Sequence, residues 1–162
     1  DLFLFTFYAG GIAPIDLAHL TRDCIREDMI IYERMKVSKE AKMPFLDKAR
    51  LIADKYRKEC HGNYVLPVFT AKQATERQKK EKLHRTKVGL NKTLHKIAGM
   101  LGYDGKITWY SARGTFITKM VNLDYNAADI AVMAGNSVTT IFNSYFKPSD
   151  TDAVRSRMNR AF

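Results

Sequence analysis

Cysteine, proline and tryptophan are scarce in this chain: it has two, four and one of them in 162 residues. Acidic residues are also few, 17 against 27 lysines and arginines. Each shortage narrows the choices. Cys24 and Cys60 form no C-x-x-C pair, and His19, His61, His84 and His95 form no H-x-x-x-H, so the sequence carries no metal framework. Two isolated cysteines point to inert, reduced thiols in a cytoplasmic protein. A Gly-rich loop of the kind that cradles nucleotide phosphates is missing. Long apolar runs are missing too: Leu2-Phe3-Leu4-Phe5 meets Gly10-Gly11 too soon to span a bilayer, and no basic segment precedes it, so no membrane partner is expected. Low-complexity segments are absent, and 46% of residues are apolar, which fits one folded domain over residues 1–162.

What is abundant is positive charge. The formal net charge is +10, which favours a polyanionic partner, nucleic acid first among them. The charge is concentrated. Between Arg77 and Lys96 stand eight basic residues and one acid, Glu81, on a segment whose Leu83, Leu90, Leu94, Ile97 and Leu101 mark a helical apolar stripe over 74–99. Like charges one turn apart repel, and a phosphate backbone lying along the face would relieve that cost. Lys79, Lys80, Lys82, Arg85 and Lys87 are the candidate backbone contacts, with a merely solvated face as the alternative.

The remaining pattern is α+β, mainly helical with a small antiparallel β-hairpin at one edge. Leu2 to Tyr8 reads as a buried helix with a glycine stop. Residues 29–32 and 43–45 read as two strands around a turn at 37–40, and 45–57 as an amphipathic helix. Thr108 is the expected N-cap of a helix carrying Arg113, with Phe116, Ile117, Met120 and Val121 buried. Residues 126–134 form a short helix stopped by Gly135, and Val138, Ile141 and Phe142 bury the next, which carries Tyr145. A last helix is expected over 150–162, its sparse apolar residues Val154, Met158 and Phe162 docking on a neighbouring subunit or on its own domain.

One constellation in the C-terminal third suits phosphate chemistry. Arg113 opens a helix, Gly135-Asn136-Ser137 makes a small polar step, and Tyr145 follows nine residues after Asn136. A guanidinium grips phosphate bidentately and a phenol can attack it. Taken singly, Arg113 could pair with a carboxylate and Tyr145 could pack in a core. Together they resemble the tyrosine recombinases, the phage integrase family, of mobile-element type: Tyr110 and Arg113 match its H-x-x-R box, Gly135-Asn136-Ser137 its G-H-S-like step, and Tyr145 its nucleophile. Gly11, Asp16 and Leu17 match the G-x-R-x-x-E/D-L box, in which Ala13 stands where the family has arginine. Lys36, eight residues before Pro44, matches the family's hairpin lysine.

The resemblance implies a catalytic-domain fold, double-stranded DNA as substrate, and strand exchange through a 3′-phosphotyrosine with no metal or other cofactor. Further implications are an N-terminal DNA-binding region lying outside this chain and self-association through the helix at 150–162. In this scheme Tyr145 is the nucleophile, Arg113 clamps the phosphate, and Lys36 is a general acid. Tyr110 and Asn136 replace two histidines as hydrogen-bond donors. Ala13 leaves one guanidinium missing. Either the substitution inactivates the site or another arginine compensates: Arg34, two residues before Lys36 and on the same strand face, or Arg22 or Arg26. A catalytically impaired DNA-binding module and a type IB topoisomerase-like enzyme are the competing readings.

Overall fold

Glycine sets the first corner. The computed structural model describes residues 1–146, 155–156 and 158–160. Helix α1 (Leu2–Tyr8) ends at Ala9, and Gly10 and Gly11 both take φ +70°, turning the chain into α2 (Pro14–His19), which starts on a proline. A 3₁₀ turn (Arg22–Cys24) leads to β1 (Ile25–Arg26), β2 (Met29–Glu33) and β3 (Glu40–Pro44), an antiparallel sheet in that order. The period-2 pattern decides its register: Ile30 pairs with Met43 and Tyr32 with Ala41, and all four side chains point inward. The short first strand, paired to β2 at Ile25 and Arg26, is an addition to the expected hairpin.

The helices follow as α3 (Asp47–Lys55), α4 (Glu76–Met100), α5 (Ser111–Asn122), α6 (Ala127–Ala134) and α7 (Val138–Tyr145). A capping box of Thr75 and Gln78 starts the 25-residue α4. Two apolar clusters result. The larger joins α1, α2, the sheet, α3 and Trp109; the smaller joins Phe116, Ile117, Ile130, Ala131, Ala134 and Ile141 of α5, α6 and α7. Helix α6 also packs on β3, and α1 on α5, so the two clusters meet along one seam.

Four expectations need correction. Thr108 does not cap α5: Tyr110 holds the N-cap position, and Thr108 instead exchanges hydrogen bonds with Ser111 (Thr108 N to Ser111 Oγ 3.0 Å, Ser111 N to Thr108 O 2.9 Å). Val138 and Phe142 are exposed (49% and 58%), because α7 turns Ile141 and Tyr145 to the smaller cluster instead, while Phe142 stacks on Phe146. Met120 and Val121 are only partly buried. On α4 the buried side turns to Leu94 and Ala98, leaving Ile97 and Leu101 exposed. Of the final helix, residues 155, 156 and 158–160 are helical. Val154, Phe162 and most of 150–162 lie outside the described residues, and the expected self-association falls there too.

Candidate active site and nucleic-acid groove

The seam between the clusters carries the charge. Among the described residues the buried charged side chains are Asp16, Arg34 and Arg113 (3%, 8% and 1% exposed). Arg113 is placed by the first turn of α5, and its guanidinium donates to two backbone carbonyls, Nη1 to Gly11 O and Nη2 to Ala134 O, both at 2.8 Å. These acceptors fix the group without neutralising it. Arg34 follows β2 and donates from Nη1 to Gly135 O at 2.6 Å. The two guanidiniums therefore hold consecutive carbonyls at the end of α6, immediately before Asn136.

Two glycines make this approach possible. A Cβ on Gly11 would lie 2.9 Å from Arg113 Cα, and one on Gly135 would lie 2.5 Å from Arg34 Cδ and 2.9 Å from Ala41 Cβ. Gly135 also takes φ +57° as the left-handed cap of α6.

Asp16 answers one of the two positive charges. Its Oδ1 accepts from Met35 N at 2.9 Å, bracing the β2–β3 turn, and its Oδ2 lies 3.5 Å from Arg34 Nε, an ion-pair distance without a hydrogen bond. Asp16 thus braces the hairpin. Two buried guanidiniums face one buried carboxylate, and such an excess favours an anion. Burial holds the Arg113 guanidinium below its ordinary range and Arg34 pushes the same way; the phenols of Tyr110, Tyr32 and Tyr145 act in the opposite direction. Burial, with Asp16 adding to it, raises the pKa of Tyr32, whose hydroxyl lacks a hydrogen-bond partner.

A groove of about 450 Å³ opens beside Arg34. It is lined by Ala13, Arg34, Lys36, Lys80, His84, Lys87 and Tyr110, with Pro14, Ile15 and Leu83, and no acidic side chain lines it among the described residues. Arg34 and Lys36 reach it from the turn after β2, not from a strand face. Ala13, the N-cap of α2, gives this wall a methyl group, and Arg34 lines the same groove. Of the basic residues expected on α4, Lys80 and Lys87 line it. Lys79 is bonded to Glu76 at 2.8 Å, and Arg85 lies 3.7 Å from Glu81. Lys82 is half-buried and off the lining. Arg22 lies against Cys60 and Arg26 donates to Asp23 O, so neither lines the groove.

Arg113, Asn136 and Tyr145 are also off the lining. Asn136 Oδ1 accepts from Ser137 N at 3.1 Å, which leaves its amide nitrogen as the donor for anything outside. Tyr145, the last residue of α7, is half-buried and packs against the smaller cluster. His84 and Tyr32 escape a motif reading; only the one-turn spacing of His84 from Lys80 and Lys87 pointed to the same face. Among the described residues no group of three His, Cys, Asp or Glu could hold a metal ion, and no helix is long and apolar enough to cross a membrane.

No family model and no curated protein matches the chain. Solved structures do. The Tn1549 transposon integrase in complex with transposon right-end DNA aligns over 98% of this chain at 15% identity with a TM-score of 0.70. The same integrase with circular-intermediate DNA aligns over 99% at 16% identity and 0.66, and the XerA recombinase over 99% at 14% and 0.63. The chain spans 57% of the length of the right-end integrase chain and of the XerA chain. Its fold is that of a tyrosine recombinase catalytic domain.

Proposed function

We propose that the chain is the catalytic domain of a site-specific DNA recombinase or integrase, which breaks and rejoins DNA through a phosphotyrosine link. Tyr145 Oη attacks the scissile phosphorus, the 5′ oxygen leaves, and a 3′-phosphotyrosine and a free 5′-hydroxyl result. A 5′-hydroxyl from a partner strand reverses the step, so the energy of the broken bond is kept in the covalent link. Arg113 and Arg34 stabilise charge developing on the phosphate oxygens, and Arg34 supplies the guanidinium that Ala13 lacks. Lys36 donates the proton to the leaving oxygen, and Tyr110 and Asn136 donate hydrogen bonds. Lys80 and Lys87 hold the neighbouring phosphates, with Lys79, Lys82 and Arg85 following the backbone further along α4.

The observation that carries this reading is the charge imbalance of the seam. Of two buried guanidiniums only Arg34 has a carboxylate beside it among the described residues, and both lie next to a groove whose ionisable lining is entirely basic apart from His84 and Tyr110. DNA in the solved complexes of the Tn1549 integrase supports the choice of anion. A DNA-binding module with impaired chemistry is favoured by Ala13 and by the engaged carbonyl of Asn136. A duplex nicked near the scissile phosphate separates the two. A covalent adduct that disappears in Tyr145→Phe supports the recombinase; salt-sensitive binding with no adduct supports the module.

A further inference from the structure

Trp109 joins three helices at the edge of the site. Its backbone N–H donates to Asn91 Oδ1 on α4 at 2.8 Å, and its indole Nε1 donates to Thr6 Oγ1 on α1 at 2.7 Å. The ring is fully buried, and the chain continues directly into Tyr110 and the first turn of α5. Tyr110 lines the groove, and its carbonyl accepts from Arg113 N at 3.1 Å. On α4, Asn91 stands one turn beyond Lys87, which lines the same groove. A single side-chain oxygen therefore ties the turn of α4 that faces the groove to the start of the helix that carries Arg113.

We propose that Asn91 is a positioning residue: its acceptor sets Tyr110 and Arg113 relative to a phosphate backbone seated on α4. The proposal rests on the recombinase reading. Three features set Asn91 apart from a bond that only supports the fold. Trp109 already has a second anchor in Thr6, so the indole stays placed without Asn91. Asn91 is off the groove lining, so it does not contact DNA there itself. The bond falls at the N-cap end of α5, where Tyr110 has no side-chain cap hydrogen bond; the Thr108–Ser111 bonds close that turn locally, whereas Asn91 ties it to α4. A displacement of about 1 Å at that point is enough to lower a positioned reaction on the order of 10²-fold.

The test compares Asn91→Ala with Asn91→Asp, which keeps an acceptor oxygen at the same reach. Covalent adduct formation on a nicked duplex is measured in single turnover at saturating DNA, beside equilibrium binding of the same duplex. Asn91→Ala is expected to bind within about twofold of wild type yet form adduct about 10- to 100-fold more slowly, with Asn91→Asp restoring the rate. Adduct formation at the wild-type rate in Asn91→Ala overturns the proposal, as does a parallel fall in binding and rate. If the wild-type chain forms no adduct, the recombinase reading fails on that result alone. The proposal is then decided by hydrogen exchange at the Trp109 amide: duplex slows it in wild type and Asn91→Asp but not in Asn91→Ala. Equal slowing in all three, or none in wild type, overturns it. Fluorescence of the single tryptophan checks that each variant is folded.

Discussion

Arg34 shows how burial turns an ordinary side chain into a functional candidate. Paired loosely with Asp16 and tied to Gly135 O, it lines the groove that Ala13 also lines. Replacing it with alanine strands the buried Asp16 carboxylate, a change that costs about 3–5 kcal/mol in such pairs. Arg34→Lys is the cleaner test. It keeps the charge but loses the planar fork, and an ammonium cannot reproduce two directed bonds. Adduct formation in Arg34→Lys is expected to fall about 10²–10³-fold while the melting temperature changes little. Wild-type rates in both variants would dismiss Arg34 as the substitute.

Tyr32 gives a second prediction at this scale, one of stability. Its hydroxyl is buried without a partner, so Tyr32→Phe should leave stability at pH 8 unchanged or raise it by about 1 kcal/mol. At high pH the sign follows from linkage. The unfolded phenol ionises near its ordinary value of 10.0, whereas burial keeps the folded one protonated above that. The unfolded state then binds fewer protons, so stability is fully present below pH 10 and declines above it. Part of that decline should vanish in Tyr32→Phe, as urea unfolding at pH 8 and pH 11 would show. A loss of stability at pH 8 would mean that the hydroxyl has a partner after all.

Among the elements, the C-terminal end of α6 supplies one carbonyl to each buried guanidinium. Its cap glycine takes a left-handed conformation and leaves room for the Arg34 stem. Gly135→Ala should cost at least about 1–2 kcal/mol from backbone conformation alone and also push Arg34 away. Adduct formation should therefore fall by more than the loss of folded protein explains; a fall matching that loss would remove Gly135 from the site. The sequence made this element legible because its signals are local: a run of apolar residues and a glycine stop. The β2–β3 pair was legible as a hairpin from its turn residues, but its second strand begins at Glu40, inside the expected turn, and ends at Pro44. Thr108 misled because Trp109 is fixed by Asn91 and Thr6, 18 and 103 residues away, and such bonds leave no trace in a local window. Val138 and Phe142 misled because apolar spacing marks a helix face without saying whether a neighbour covers it. The depth of Arg34 was equally hidden, since it depends on α6 folding across β3.

For the molecule as a whole, the question is how a net charge of +10 is distributed. A uniform surplus would bind any polyanion weakly. Here Lys36, Lys80 and Lys87 join Arg34 around one groove, while Lys79, Arg77 and Arg85 have carboxylates beside them on α4. Salt separates these two groups. Each phosphate neutralised by a groove lysine releases condensed counterions, so the logarithm of the binding constant falls with the logarithm of salt concentration by about 0.9 per contact. Lys80→Ala and Lys87→Ala should each weaken duplex binding at low salt and flatten that slope by about 1. The double variant should flatten it by about 2 if the two contacts are independent. Lys79→Ala should change the slope less, since Glu76 already screens its ammonium. Because backbone contacts carry no sequence information, the losses should be the same on specific and unrelated duplexes. A steeper effect from Lys79 than from Lys80 and Lys87 would move the DNA path off the groove and along the far face of α4, leaving the buried guanidiniums without their phosphate.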